Sequence, residues 1–380
     1  MSRKKTGVYL IDSLTLGGAQ RQLVELVKNL DTAIIKPIVV TYHDLPFFKE
    51  ELSDHGVQTV LLRKRDKVGV TFLAQFFPFL KKVKADFVHS FLNTPNFYAR
   101  LAKLAATVPK VITSERSNSI EYSAKYRAME RLTCRMADCI IVNAHGINDI
   151  LVDKVGVPRR KIFVVNNGVA VERFSQFDPI KVKHIRSAMR ADQANTFVLG
   201  LIGRLEWRKN HALFLDALSM IRGSRSQLEI RVGFWGSKPN KTYAENIKGQ
   251  IIEHGLGHTV FIFPAEKDVA NLYAACDIVV LPSLWEGFPN VIVEAMAAGR
   301  LVIASNISDN DRIIQDGVNG FLFRSGSKED LAGKIIEVME IPDAKKEFIC
   351  NNAKSHVVLN YSIQNMVKNT MKVYETIGLC

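Results

Sequence analysis

No CxxC pair, no apolar run of the roughly 18 residues that a membrane-spanning helix needs, and no low-complexity or short-period repeat occurs in this sequence. Each absence removes a class of protein. The five cysteines, Cys134, Cys139, Cys276, Cys350 and Cys380, are odd in number and scattered, so they fit buried thiols in a reducing compartment better than a disulfide framework or a zinc site. Lys4 and Lys5 precede an apolar stretch that Asp12 interrupts after Ile11, too short for a signal peptide. The expected location is cytoplasmic. With 47% hydrophobic and 23% charged residues, the chain is neither disordered nor fibrous.

At 380 residues, two domains are expected. Lys and Arg number 51 against 38 Asp and Glu, a net charge of +13. The excess sits early: residues 1–180 carry +10 and residues 181–380 carry +3. Such a field attracts nucleic acid, anionic membrane or phosphorylated substrates, and charge alone does not choose among them. No zinc-ligand spacing, aromatic RNA-binding motif or recognition helix is evident, so nucleic acid is not an expected partner.

Short β-branched runs alternate with helix-like stretches, the pattern of parallel α/β sheets. Expected strands are Gly7–Asp12, Pro37–Tyr42, Val57–Leu62, Asp86–Phe91, Lys110–Glu115, Cys139–Asn143 and Lys161–Val165. Residues 170–195 break the rhythm, and a second series follows: Phe197–Gly203, Leu228–Gly233, Val260–Phe263, Asp277–Pro282, Leu301–Ser305 and Phe321–Phe323. This reads as two doubly wound domains, 1–175 and 176–360, with an amphipathic closing helix in 361–380. Ligands bind at the carboxyl ends of such sheets, so the active site is expected in a cleft between the two domains.

Three loops at expected strand ends carry chemistry. Gly17-Gly18 opens a helix, where backbone N–H groups and the helix dipole favour an anion; a plain tight turn is the alternative. Neither a GxGxxG fingerprint nor a Walker lysine is present. Gly203-Arg204-Leu205-Glu206-Trp207-Arg208-Lys209 sets cations where a diphosphate would sit, unless the loop is simply solvated. In the third loop, Glu286-Gly287-Phe288-Pro289-Asn290 leads into a small-residue helix that places Glu294 between apolar neighbours. A carboxylate there needs a partner, and a ribose diol, which donates two hydroxyl hydrogen bonds, is suitable.

The Glu286 to Glu294 segment resembles the Glu-x7-Glu signature of GT-B retaining glycosyltransferases of the family 4 type, glycosyl transferases group 1. The resemblance extends over nearly the whole chain through Gly17-Gly18-Ala19, Gly203-Arg204-Leu205 to Lys209, Asn167-Gly168-Val169 to Phe174, and Asp316-Gly317-Val318-Asn319-Gly320-Phe321-Leu322. It implies two Rossmann-like domains and a nucleotide-diphosphate sugar held mainly by the second. It further implies an acceptor held mainly by the first, retention of anomeric configuration, and no obligatory metal or cofactor. Arg204 and Lys209 would neutralise the leaving diphosphate, and Glu294 would hold the ribose. Glu286 would lie near the donor sugar, with Gly203, Gly287, Phe288, Pro289 and Asn290 contacting sugar and phosphates. Gly17 and Gly18 would close on the same donor. UDP is expected over GDP on frequency alone.

Where many relatives carry a His after the fifth strand, this chain has Glu115 and Arg116, so Glu115 is a candidate near donor sugar or acceptor. His89 aligns with a frequent family His, although a lone His at a strand end is more often structural. Ser308-Asp309-Asn310-Asp311 replaces an often Gly-rich turn.

In the first domain, Arg63, Lys64, Arg65 and Lys67 form one basic cluster and Lys81, Lys82 and Lys84 another, with Phe72, Phe76 and Phe79 between them. Arg127, Arg131 and Arg135 form a third series. Aromatic bulk beside cations suits peripheral contact with an anionic membrane; a core face with solvated charges is the alternative. The expected reaction is sugar transfer to a saccharide acceptor, lipid-linked, as in bacterial surface polysaccharide assembly. A nucleotide-sugar epimerase of the same fold and a non-catalytic partner subunit remain as alternatives.

Overall fold

A computed structural model describes residues 3–116, 124–193, 195–225, 228–236, 241–266 and 268–379. Cys380 lies outside the described residues. The chain divides into two compact units, residues 1–168 with 363–380, and residues 169–362.

The first unit holds a seven-stranded sheet. Its strands are β1 (Lys5–Leu10), β2 (Ile35–Thr41), β3 (Gln58–Leu61), β4 (Phe87–Phe91), β5 (Lys110–Glu115), β6 (Cys139–Val142) and β7 (Ile162–Val164). They run in the order β3-β2-β1-β4-β5-β6-β7, every pairing parallel. The second unit has β8 (Phe197–Ile202), β9 (Ile230–Gly236), β10 (Val260–Pro264), β11 (Ile278–Leu281), β12 (Leu301–Ser305) and β13 (Phe321–Phe323). Their order is β10-β9-β8-β11-β12-β13, again parallel. Both units are thus doubly wound parallel α/β layers, the expected fold class.

Period-two alternation explains why these apolar runs form strands. On one face of the second sheet, Leu199, Leu201, Val232, Phe234, Ile278, Val280, Leu301 and Ile303 pack with helices His211–Ser224 and Lys328–Glu340. Val198, Trp235, Val279, Leu281, Val302 and Ala304 point the other way, onto helices Val269–Ala275, Asn290–Ala297 and Asp343–Tyr361. Strands buried on both faces read as continuous apolar runs.

The aromatic run of the first unit has a different role from the membrane wedge considered above. Helix Val70–Lys82 buries Phe72, Phe76 and Leu80 completely against β1, β2 and β4, and Phe79 packs on the same core half-buried. Their spacing of four residues puts all three on one helix face. Phe72 and Phe76 are therefore core, while Lys81, Lys82 and Lys84 are exposed. The arginine series is also broken up: helix Ala124–Thr133 gives way to a 3-10 turn at Cys134–Met136, and the Arg131 guanidinium donates to the carbonyls of Lys154 and Val155.

The chain's last helix, Ile363–Thr376, returns to pack on helix Gly18–Lys28 of the first unit. Gly168 is its seat: an added Cβ there would lie 2.8 Å from the Ile363 Cα. The buried Gln22 amide clamps the same glycine, donating to its carbonyl (2.9 Å) and accepting from its N–H (2.8 Å).

Candidate functional site

At the carboxyl end of β8, Gly203 adopts a φ of +147°, a conformation that L side chains rarely reach. A Cβ at Gly236 would lie 2.1 Å from the Gly203 carbonyl oxygen, so two glycines let this loop press on the neighbouring strand. Lys209 folds back over the turn, its Cε 3.1 Å from where a Cβ on residue 203 would be. Arg204 stands exposed. Trp207–Lys209 is a single 3-10 turn, and Asn210, at φ +53°, ends it and starts helix His211–Ser224.

The loop leaving β11, next to β8 in the sheet, meets this turn directly. Leu284 N–H donates to the Arg208 carbonyl at 2.8 Å, and the Arg208 guanidinium lies 5.0 Å over the Trp285 ring. Lys209 Nζ donates to Glu286 Oε1 at 2.6 Å, with only 11% and 7% of the two side chains exposed. Ser283, fully buried, donates to the same oxygen at 2.7 Å, and Ser305 Oγ in turn holds the Ser283 carbonyl at 2.7 Å. Glu286 is thus not at a solvent-facing mouth but buried and triply anchored, with Ser308 Oγ 3.4 Å from its N–H. An ammonium has three donors, so Lys209 retains capacity for an oxyanion while bonded to Glu286.

Helix Asn290–Ala297 follows, with Pro289 at its N-cap position and no side chain capping its first turn. Phe288 is buried against Tyr361, and Glu294, one turn in, accepts a hydrogen bond from the buried Tyr273 hydroxyl at 2.8 Å. Burial first, and then the Glu294 charge, push the Tyr273 phenol well above its usual range, so it is a permanent donor. Lys209 and Glu286 pair between the loops that leave β8 and β11, and the start of helix Asn290–Ala297 follows the second loop, with Glu294 one turn further on. Such an arrangement can hold a polyanion and a vicinal diol at once.

In the first unit, Gly17 precedes helix Gly18–Lys28 with a φ of −165°, ordinary extended backbone, and no side chain caps that helix. A glycine is needed there for space rather than for a special conformation: an added Cβ would lie 2.3 Å from Oε1 of the buried Gln20. His89 is fully buried. Its Nδ1 lies 2.7 Å from the Tyr374 hydroxyl and its Nε2 2.8 Å from Ser114 Oγ, and burial, with Arg116 adding to it, lowers its pKa well below normal. It seats the last helix as a neutral imidazole.

Glu115 is also buried. Asn96 donates to its Oε1 at 2.6 Å, and among the described residues Oε2 has no hydrogen-bond partner. Nearby, the buried Arg100 forms a two-pronged pair with Glu130, both contacts 2.6 Å. Burial raises the Glu115 pKa to about 8, Glu130 adds to the shift, and Arg100 and Asn96 oppose it. At neutral pH its carboxyl therefore favours the protonated form. A carboxyl protonated in the fold and ionised in the unfolded chain loses stability as pH climbs from its unfolded pKa towards 8. Glu115→Gln is therefore expected to flatten the fall in melting temperature between pH 5 and 8. A variant falling in parallel with the wild type would show Glu115 ionised throughout.

Residue spacing did not point to Tyr273, Ser283 or Arg116. Ser283 has a faint signal in the Ser-x-x-Glu interval to Glu286; Tyr273 has none, because it arrives from another helix. Arg116 sits at the end of β5, donating to Asn167 Oδ1 at 2.7 Å with its guanidinium 5.0 Å over Phe91. Burial lowers its pKa to about 10, so it stays charged.

Comparison with known proteins bears on both units. The sequence model for Glycosyltransferase Family 4 matches residues 16–173, and that for Glycosyl transferases group 1 matches residues 187–355. The chain is 25% identical over 315 residues to an Escherichia coli protein, covering 80% of this chain and 78% of that one. That protein is named UDP-Gal:alpha-D-GlcNAc-diphosphoundecaprenol alpha-1,3-galactosyltransferase. A Campylobacter jejuni N-acetylgalactosaminyltransferase named for a diphospho-undecaprenol substrate is 22% identical, with 93% of this chain and 94% of that one covered. Among solved structures, Anabaena Alr3699/HepE in complex with UDP and glucose superposes with a TM-score of 0.85 at 21% identity, over 98% of this chain and 100% of that one. At that identity the likeness speaks for the fold, GT-B.

Proposed function

The chain belongs to the glycosyltransferases, Family 4 in its first unit and group 1 in its second, and from that premise we propose that it moves a sugar from a nucleotide diphosphate to a lipid-diphosphate-linked saccharide with retention of configuration. The observation that carries the reading is the grouping of Lys209, Glu286 and Glu294 at the carboxyl ends of the adjacent strands β8 and β11. In such sheets that edge is where nucleotides bind.

In this reading Arg204 and Lys209 take the charge that builds on the diphosphate as the anomeric carbon–oxygen bond breaks. The nucleoside diphosphate leaves with the electron pair, the acceptor hydroxyl oxygen bonds to the same face of the anomeric carbon, and its proton passes to the departing phosphate oxygen. No enzyme nucleophile takes part. Glu286, fixed by Ser283 and Lys209, faces the donor sugar, and Glu294 accepts from the pentose hydroxyls. Gly203, Gly287, Phe288, Pro289 and Asn290 shape the pocket around sugar and phosphates. The Gly17-Gly18 helix start offers N–H groups to a substrate anion. We assign Glu115 and His89 to the framework rather than to chemistry.

UDP is the expected nucleotide, in keeping with the Escherichia coli relative named for UDP-galactose. Two relatives named for undecaprenol-linked diphosphates support the acceptor class. Among the described residues, no helix is long and apolar enough to cross a membrane. Contact with the bilayer carrying such an acceptor would then be peripheral, through Lys81, Lys82 and Lys84 with the exposed Val68 and Val70.

The test is incubation with a panel of UDP- and GDP-sugars and a polyprenyl-diphosphate saccharide in anionic vesicles, with EDTA present. One donor is expected to add a single α-linked sugar, at a rate that falls with salt and when the three lysines become Gln. Complete conversion of donor to an epimer without acceptor would refute the transferase. A requirement for divalent metal would refute the role given to Arg204 and Lys209, and indifference to salt and to the Gln changes would remove the membrane contact.

A further inference from the structure

Glu294 sits in an apolar stretch of helix, and only a carboxylate held in one orientation can select a diol over a single hydroxyl. One group that holds it comes from a different helix. Tyr273, with none of its surface exposed, donates to Glu294 Oε2 at 2.8 Å from helix Val269–Ala275. Its ring is buried and packs edge-on against Phe174, with the centroids 5.7 Å apart at 68°, which restricts the phenol. A hydroxyl that remains protonated beside a carboxylate fixes one carboxylate oxygen and orients the other.

We propose that Tyr273 is the positioning residue for nucleotide recognition: by clamping one oxygen of Glu294 it sets the carboxylate to read the ribose hydroxyls, and so gives the site its preference for ribonucleotides over deoxyribonucleotides. This rests on the nucleotide-binding reading above. Tyr273 does not touch the nucleotide. Its removal is expected to alter selectivity and to leave the phosphate grip of Arg204 and Lys209 intact.

The experiment compares, by calorimetry, the binding of a ribonucleoside diphosphate with that of its 2′,3′-dideoxy analogue, using UDP or GDP according to which binds the wild type. The wild type is expected to favour the ribonucleotide, and Tyr273→Phe to lose about tenfold of that preference, the worth of one hydrogen bond to a charged group. Binding of the dideoxy analogue should be unchanged and reports that the variant is folded. Equal weakening towards both nucleotides, or an undiminished preference, would overturn the inference.

A wild type that binds nucleotide without any ribose preference would overturn the ribose role of Glu294 and this inference with it, whereas one that binds neither nucleotide would overturn the underlying nucleotide reading. If Tyr273→Phe alone does not fold, the same ratio is measured in Glu294→Gln with and without Tyr273→Phe, where no carboxylate charge is orphaned. The amide oxygen still accepts from Tyr273, so the single variant is expected to keep more of the preference than the double. Identical ratios would sink the proposal.

Discussion

Lys209→Met is expected to lower kcat/KM by about a hundred- to a thousandfold, the roughly 2.7 to 4 kcal/mol that removal of one preorganised charge-stabilising group takes from a transition state. The geometry makes this substitution harmful in a second way. Lys209 Nζ is the charged partner of Glu286, which is 93% buried at the side chain, and leaving a buried carboxylate unpaired destabilises a fold by about 3 to 5 kcal/mol. Loss of activity in the single variant would therefore be ambiguous. The double variant Lys209→Met with Glu286→Gln, read against Glu286→Gln alone, separates the two effects, because the amide needs no counter-charge and can still accept from Ser283. Its melting temperature should return towards the wild type while its turnover stays far below that of Glu286→Gln. Turnover that recovers along with stability would mean that Lys209 serves the fold and not the diphosphate.

The second large effect belongs to the first unit. Arg100 is completely buried and binds both oxygens of Glu130 at 2.6 Å while also donating to Thr133 (3.0 Å) and Thr113 (3.1 Å). Arg100→Met keeps the volume and removes the charge. Glu130 is then stranded beside Glu115, and the expected loss is about 3 to 5 kcal/mol, or roughly 6 to 20 °C in melting temperature for a unit of this size. Adding Glu130→Leu should recover most of the loss, since an apolar replacement of a whole buried pair is often neutral. A melting temperature unchanged by Arg100→Met, read by circular dichroism across pH 5 to 8, would show that water reaches this pair.

The parallel sheets were legible because strands covered on both faces cannot carry polar residues at every second position. Runs such as Ile278–Leu281 and Cys139–Val142 stand out against the helices between them. Their ends were less so: the expected strand Phe197–Gly203 stops at Ile202, because Gly203 turns the chain with a positive φ. Phe72, Phe76 and Phe79 were visible as aromatic bulk between cations, but composition does not say whether such a run meets a core or a lipid boundary; burial of Phe72, Phe76 and Leu80 against β1 and β4 decides it.

The site was legible where chemistry is contiguous in sequence, as in Gly203 to Lys209 and Glu286 to Glu294. It was hidden where partners come from afar. Tyr273 reaches Glu294 across 21 positions and Arg100 reaches Glu130 across 30, contacts that only the fold creates. The last helix illustrates the same limit. Its amphipathic pattern announced a buried face, and nothing in residues 361–377 announced that the face belongs on the first unit.

One measurement bears on the central claim most directly: a crystal structure of the protein soaked with its preferred nucleotide sugar. The diphosphate oxygens are expected within hydrogen-bond distance of Lys209 Nζ and the Arg204 guanidinium, with the pentose hydroxyls on the Glu294 carboxylate. A nucleotide bound away from the carboxyl ends of β8 and β11, with the Lys209–Glu286 pair facing only solvent, would contradict it.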